Sequence, residues 1–159
     1  MIVIGIDPGL ATVGFGVIRT ESSHVIPVSY GCIRTSPGKQ TSQRLLDIYT
    51  EINELFEKYS PEIVAMERLF FTKNVTSAMN VSEARGVIFL AAQQKGIPVV
   101  EYTPLQIKQA ITGSGRADKR QMQEMITRLL GLDEIPMPDD AADGLSIALC
   151  HVNFAELAL

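Results

Sequence analysis

Three well-separated segments of the chain each deliver a carboxylate at the end of a structural element. Asp7 follows the apolar residues Ile2, Val3, Ile4 and Ile6 and precedes the turn pair Pro8-Gly9. Glu67 closes a second apolar run, Ile63-Val64-Ala65-Met66. In the third, acids and small residues stand at a helix start after Pro138, and the spacing of Asp140 and Asp143 puts them on one helix face. Brought together, these side chains form an acidic cluster that calls for a divalent cation, and hard cations such as Mg2+ take oxygen ligands. Paired cations are a standard device for in-line attack on a phosphodiester. Asp139 lies four residues before Asp143, also a same-face spacing. Spacing therefore leaves Asp139 and Asp140 as alternative ligands, with one of them free to cap the helix.

Each acid has a plainer reading. Asp7 suits a turn before Pro-Gly, Glu67 a surface position leaving a strand, and Asp139 or Asp140 a helix cap. Asp143 resists such an account. It sits among Ala141, Ala142, Leu145 and Ile147, on a helix expected to be mostly buried, where a carboxylate is costly unless paired, hydrogen-bonded or metal-bound.

Next to Glu67 runs Arg68-Leu69-Phe70-Phe71-Thr72-Lys73-Asn74. Adjacent aromatics at a strand exit cannot both point inward, and the outward one is placed to stack on bases or wedge between them. Lys73, Asn74, Thr76 and Ser77 offer phosphate donors at a helix N-terminus. The net charge of −4 argues mildly against nucleic acid, but the charge is unevenly spread. Residues 104–130 hold Lys108, Arg116, Lys119, Arg120 and Arg128 against Asp118 and Glu124, whereas 131–159 hold six acids and no Lys or Arg. A phosphate-binding surface needs a local basic patch, not a basic whole. His24 and His151 receive no role.

The elements that must position these groups follow from periodicity and punctuation. Strands are expected at 2–6, 13–19 and 24–35, punctuated by Gly9, Gly14, Gly16 and Gly31 and joined by links short enough for antiparallel pairing. A helix at 41–59 is capped by Thr41 or Ser42 and stopped by Pro61. A strand at 62–67 precedes a helix at about 76–95, with Met79, Val87, Ile88 and Ala91 inward and Gly96 as its stop. A strand at 97–102 is followed by Thr103-Pro104 opening a third helix that ends near Gly113. Further helices span about 117–130 and 139–156. The order β-β-β-α-β-α-β-α-α-α predicts an α/β fold, a five-stranded mixed sheet with three antiparallel then two parallel strands, flanked by helices. Sites in such sheets gather at strand carboxyl ends, where Asp7 and Glu67 fall.

A chain of 159 residues, 46% hydrophobic and 20% charged, suits one globular domain, 1–159. No apolar run approaches the roughly 18 residues of a membrane helix, and the start lacks the basic region of a signal peptide. Cys32 and Cys150 lack metal-type spacing and read as buried thiols in a reducing, cytoplasmic setting.

Taken in order, GIDPGL…VGFGV, ERLFFTKNVTSA, EARGV, EYTPLQIKQAITGSGRADKRQM and DAADGLSIA resemble the RuvC family of crossover junction endodeoxyribonucleases along nearly the whole chain. The resemblance implies a ribonuclease H-like fold and a homodimer that cuts four-way DNA junctions symmetrically, in recombination and repair. It implies Mg2+ or Mn2+, two ions per subunit, held by Asp7, Glu67, Asp140 and Asp143, with Asp139 the bystander. Phosphodiester hydrolysis would leave 5′-phosphate and 3′-hydroxyl ends. Phe70 falls on the family's junction-centre aromatic, with Phe71 beside it. Lys108 and Lys119 fall on basic residues tied to DNA contact and catalysis, and Lys73, Asn74, Arg116 and Arg120 extend the expected DNA surface. Partners of the RuvA and RuvB branch-migration type are implied. Some members carry a basic tail that is not seen here, and this is expected to weaken DNA affinity. The alternatives are a related nuclease acting on RNA, a metal-free module binding branched DNA, and an actin-like phosphotransferase, for which the chain is short.

Overall fold

The computed structural model describes residues 1–22, 24–69 and 75–156. Its elements, in chain order, are β1 (Ile2–Asp7), β2 (Thr12–Glu21), β3 (His24–Arg34), α1 (Thr41–Tyr59), β4 (Ile63–Glu67), α2 (Val75–Gln94), β5 (Val99–Tyr102), α3 (Pro104–Thr112), α4 (Lys119–Leu129) and α5 (Asp139–Glu156). The strands form one sheet in the order β3-β2-β1-β4-β5. β1 and β2 pair antiparallel, as do β2 and β3, whereas β4 runs parallel to both β1 and β5. This is the expected mixed sheet.

Strand alternation assigns the two faces. Ile4, Ile6, Val13, Val17, Val64 and Met66 pack with Ile48, Ile52 and Phe56 of α1 and Ala84, Ile88 and Ala91 of α2. On the other face Val3, Ile18 and Ala65 meet Ile107 and Ile111 of α3, Met122 and Ile126 of α4, and the apolar residues of α5. Asp7 and Glu67 are in phase with Val3 and Ala65, so both carboxylates belong to the α5 face.

α5 approaches the sheet unusually closely because both sides use glycine. A Cβ at Gly5 would stand 2.1 Å from the Gly144 carbonyl, at Gly14 2.1 Å from the Asp140 carbonyl, and at Gly16 2.4 Å from the Leu145 nitrogen. Gly14 and Gly16 lie inside β2, within the strand expected at 13–19, and face α5. Their lack of a side chain seats the helix backbone directly on the strand.

Local signals explain most helix ends. Thr103 caps α3 by accepting from the Gln106 backbone N–H, and Asp118 caps α4 by accepting from that of Gln121. Gly113, at φ 74°, closes α3 in the left-handed region. α1 departs from expectation: Gln40 is its cap residue, its backbone N–H donating to the Gln43 side chain, and Thr41 is already helical. β5 begins at Val99 and not at residue 97. Met79, expected inward, is exposed. α2 is apolar on several sides, so spacing alone did not identify the docked face.

Candidate active site

β1 and β4 are parallel neighbours in register Ile6↔Met66, so the next residues, Asp7 and Glu67, end adjacent strands at one level and on one face. Asp7 pairs with Gly14 of β2, and Gly14 is the residue on which the Asp140 backbone rests. The helix thus carries Asp140 and Asp143 to the same strand ends. All four acids are half-buried.

Electrostatics report the convergence. Burial, followed by the charges of Asp143, Glu67 and Asp140, pushes the Asp7 carboxyl up to about 7, with Lys119 opposing. Burial and Asp143 raise Glu67, opposed by Lys108 and Arg85. Burial also raises Asp143, against the pull of Lys119 and with Asp140 and Asp139 adding to it. Such mutual repulsion in a desolvated place asks for positive charge. The donors are carboxylate oxygens, the chemistry that Mg2+ and Mn2+ take. Among the described residues, however, no three acids, histidines or cysteines are gathered into one ligand sphere. The residues agree with a divalent cation in donor type and in charge, and the strand ends and α5 bring them near enough to repel one another.

Two lysines complete the charge pattern. The caps of α3 and α4 place Lys108 on the first and Lys119 in the opening turn of the second. Lys119 Nζ lies 2.9 Å from Asp139, and this hydrogen bond, with the charges of Asp143, Asp139 and Asp140, raises its pKa, so the ammonium stays protonated. Asp139 also accepts from Gln123 at 2.9 Å. It is therefore occupied in holding Lys119, while Asp140 is the one that acts on Asp7. A cleft of about 180 Å3 lies between Glu67, Asp143, Lys108 and Lys119, floored by Ile107, Met122 and Ile147.

The other expected DNA contacts are placed differently. Arg116 lines a separate depression with Ser114, Gln121 and Arg128, and Arg120 is paired with Glu124 at 2.9 Å. Phe70, Phe71, Lys73 and Asn74 lie outside the described residues. Sequence reasoning passed over two side chains. Arg85, within the EARGV motif, donates from its guanidinium to the Glu67 carbonyl and to the Glu101 carboxylate. Thr35 is buried and donates to the Leu10 carbonyl at 2.6 Å while accepting from Arg44, thereby bracing the loop after Asp7. For Arg85, its place in the EARGV motif and its charge inside a largely apolar helix were the signals available.

The family model for the crossover junction endodeoxyribonuclease RuvC matches residues 3–151. The chain belongs to the RuvC family. It is 51% identical to the crossover junction endodeoxyribonuclease RuvC of Desulfitobacterium hafniense, over 99% of this chain and 95% of that one. With the RuvC of Brevibacillus brevis the identity is 53%, covering 97% and 93%. A solved structure of Thermus thermophilus RuvC in complex with Holliday junction substrate superposes with a TM-score of 0.94 at 36% identity, covering 99% of this chain and 96% of that one. As a RuvC-family protein the chain is a metal-dependent nuclease with a ribonuclease H-like fold. Among the described residues no helix is long and apolar enough to cross a membrane.

Proposed function

We propose that residues 1–159 act as one nuclease domain that resolves four-way DNA junctions by paired, symmetric hydrolysis, leaving 5′-phosphate and 3′-hydroxyl ends. One observation carries the residue assignment: Asp7 and Glu67 end adjacent parallel strands on the face where Gly14 lets α5 lay Asp140 and Asp143 against them. Asp7, Glu67, Asp140 and Asp143 would hold the divalent cations, two per subunit. When bound, such a pair supplies the Lewis-acid chemistry for in-line attack on a phosphodiester.

The chain's own groups do the rest. Asp7, central to the mutual repulsion, is the acid shared by both halves of the cluster. Lys119, held protonated by Asp139, sets a positive charge beside the acids, where it offsets charge building on the phosphate. Lys108, on the Glu67 side of the cleft, holds the adjoining backbone. Ile107, Met122 and Ile147 exclude bulk water from that wall, which strengthens each of these interactions. Phe70 and Phe71 would meet bases at the junction centre, and Lys73, Asn74, Arg116 and Arg120 the flanking phosphates.

Paired cuts need two identical sites related by two-fold symmetry, which an isologous dimer provides. Val75, Met79 and Leu90 are exposed on α2 and fall on one helical face, and Gly86 on that face has open space above it. This stripe is the proposed seam. Ala78 and Ala84 of the same helix are buried within the subunit. A RuvA- and RuvB-type motor would deliver the junction, in the cytoplasm.

The test is cleavage of a mobile four-way junction beside linear duplex and an RNA–DNA hybrid, with Mg2+, with Mn2+ and with chelator. Metal-dependent paired nicks confined to the junction are expected, and Asp7→Asn should bind the junction without cutting it. Cutting of the hybrid would instead favour a ribonuclease, and turnover by Asp7→Asn would remove Asp7 from the site.

A further inference from the structure

Arg85 is only 9% exposed, and none of the chemistry above uses it. Its guanidinium reaches from α2 to the carboxyl ends of two strands. One nitrogen donates to the backbone carbonyl of Glu67 and the other to the Glu101 carboxylate. Glu101 is the β5 partner of Met66, immediately before Glu67. The aromatic ring of Phe89, one turn further along α2, lies 5.5 Å from the guanidinium carbon.

The position is one where a strand needs outside help. Pairing between β1 and β4 stops at Ile6↔Met66, so Glu67 has lost its neighbour on that side. On the other side, the last backbone bond among the described residues is from the Arg68 N–H to the Tyr102 carbonyl at 2.8 Å. A strand end held on one edge opens easily. Arginine is suited to closing it, because a planar fork satisfies two acceptors in fixed geometry, whereas a lysine ammonium is a single flexible point charge.

We propose that Arg85 is a positioning residue for Glu67. It fixes the β4 terminus against β5 and α2, so that the Glu67 carboxylate is presented at the angle the cation site requires. The proposal rests on the reading of Glu67 as a metal-holding acid. Glu101 keeps the guanidinium charge compensated in this partly dry place and sets its orientation. Residues that orient a ligand in this way typically govern metal affinity or activity by about 10–100-fold when removed.

Two variants separate positioning from folding. Arg85→Lys keeps the charge facing Glu101. Arg85→Met combined with Glu101→Gln removes both charges and leaves no unpaired one behind. Each is measured for thermal midpoint, for Mn2+ affinity of the DNA-free protein by electron paramagnetic resonance, for junction affinity in chelator, and for single-turnover cleavage. The expected result is Mn2+ affinity and cleavage both weaker by about 10–100-fold, with junction affinity unchanged, and Arg85→Lys intermediate. Wild-type Mn2+ affinity and cleavage rate in Arg85→Lys, or in the folded double variant, would overturn the proposal, even if the thermal midpoint falls. Should the double variant not fold, Arg85→Lys decides alone. Glu67→Gln is run in parallel, and if it cleaves at the wild-type rate it is the assignment of Glu67 that fails.

Discussion

Replacing Gly14 by alanine tests whether the seating of α5 on β2 assembles the site. The new Cβ would lie 2.1 Å from the Asp140 carbonyl oxygen, 2.6 Å from its carbon and 2.8 Å from its Cβ. Two of these three are backbone atoms, so no side-chain rotation relieves the clash. Ordinary contact begins at 3.4 Å, and the helix start must retreat by about 1 Å. A misplacement of about 1 Å can cost on the order of 10²-fold in rate. Overpacking of this kind typically costs about 1–3 kcal/mol, which for a chain of this size lowers the melting midpoint by very roughly 2–12 °C. Gly14→Ala should therefore remain folded at 25 °C and bind junction DNA in chelator as the native protein does. Its single-turnover cleavage with Mg2+ should fall about 10²-fold. Native cleavage together with a native melting midpoint would refute the argument, since it would mean that the backbone contact at Gly14 does not set where Asp140 and Asp143 stand.

Two further outcomes follow from the same geometry. The Asp7 carboxyl is raised to about 7, so its contribution to folding is complete below its unfolded value of 3.8 and is lost as pH rises through about 7, with Glu67 and Asp143 shifted in the same sense. In chelator the protein should melt lower at pH 8 than at pH 5; Asp7→Asn should flatten that slope, and Mg2+ should restore the native midpoint at pH 8 but not that of the variant. A slope unchanged by Asp7→Asn would contradict the electrostatic picture. The exposed seam predicts that Met79→Glu with Leu90→Glu leaves the subunit folded, shifts sedimentation to monomer and replaces paired nicks by single ones; an unshifted dimer would place the interface elsewhere.

Much of this was legible in the residues themselves. Apolar runs ending at Asp7 and Glu67 marked two strand ends. Thr103-Pro104 and Gly113 marked the bounds of α3, and Asp143, an acid among the apolar residues of α5, marked a candidate site. These are local signals, each written within a few residues of the element it shapes, and the antiparallel pairing of the first three strands followed from their short links. Other features depend on which faces of distant elements meet, and no local pattern records that. Gly14 and Gly16 have no evident purpose inside a strand until α5 is seen resting on them. Met79 has the spacing of a core residue but lies on the undocked side of α2.

Asp139 and Asp140 are equivalent by spacing, yet one is occupied by Lys119 and Gln123 and the other acts on Asp7. Arg85 becomes intelligible only where α2 crosses the ends of β4 and β5 and two acceptors lie within reach of one guanidinium. The sequence by itself determined the chemistry available and the elements that carry it. Tertiary structure alone decided which acids come together and which one Lys119 takes, because that choice is made by contacts between residues far apart along the chain.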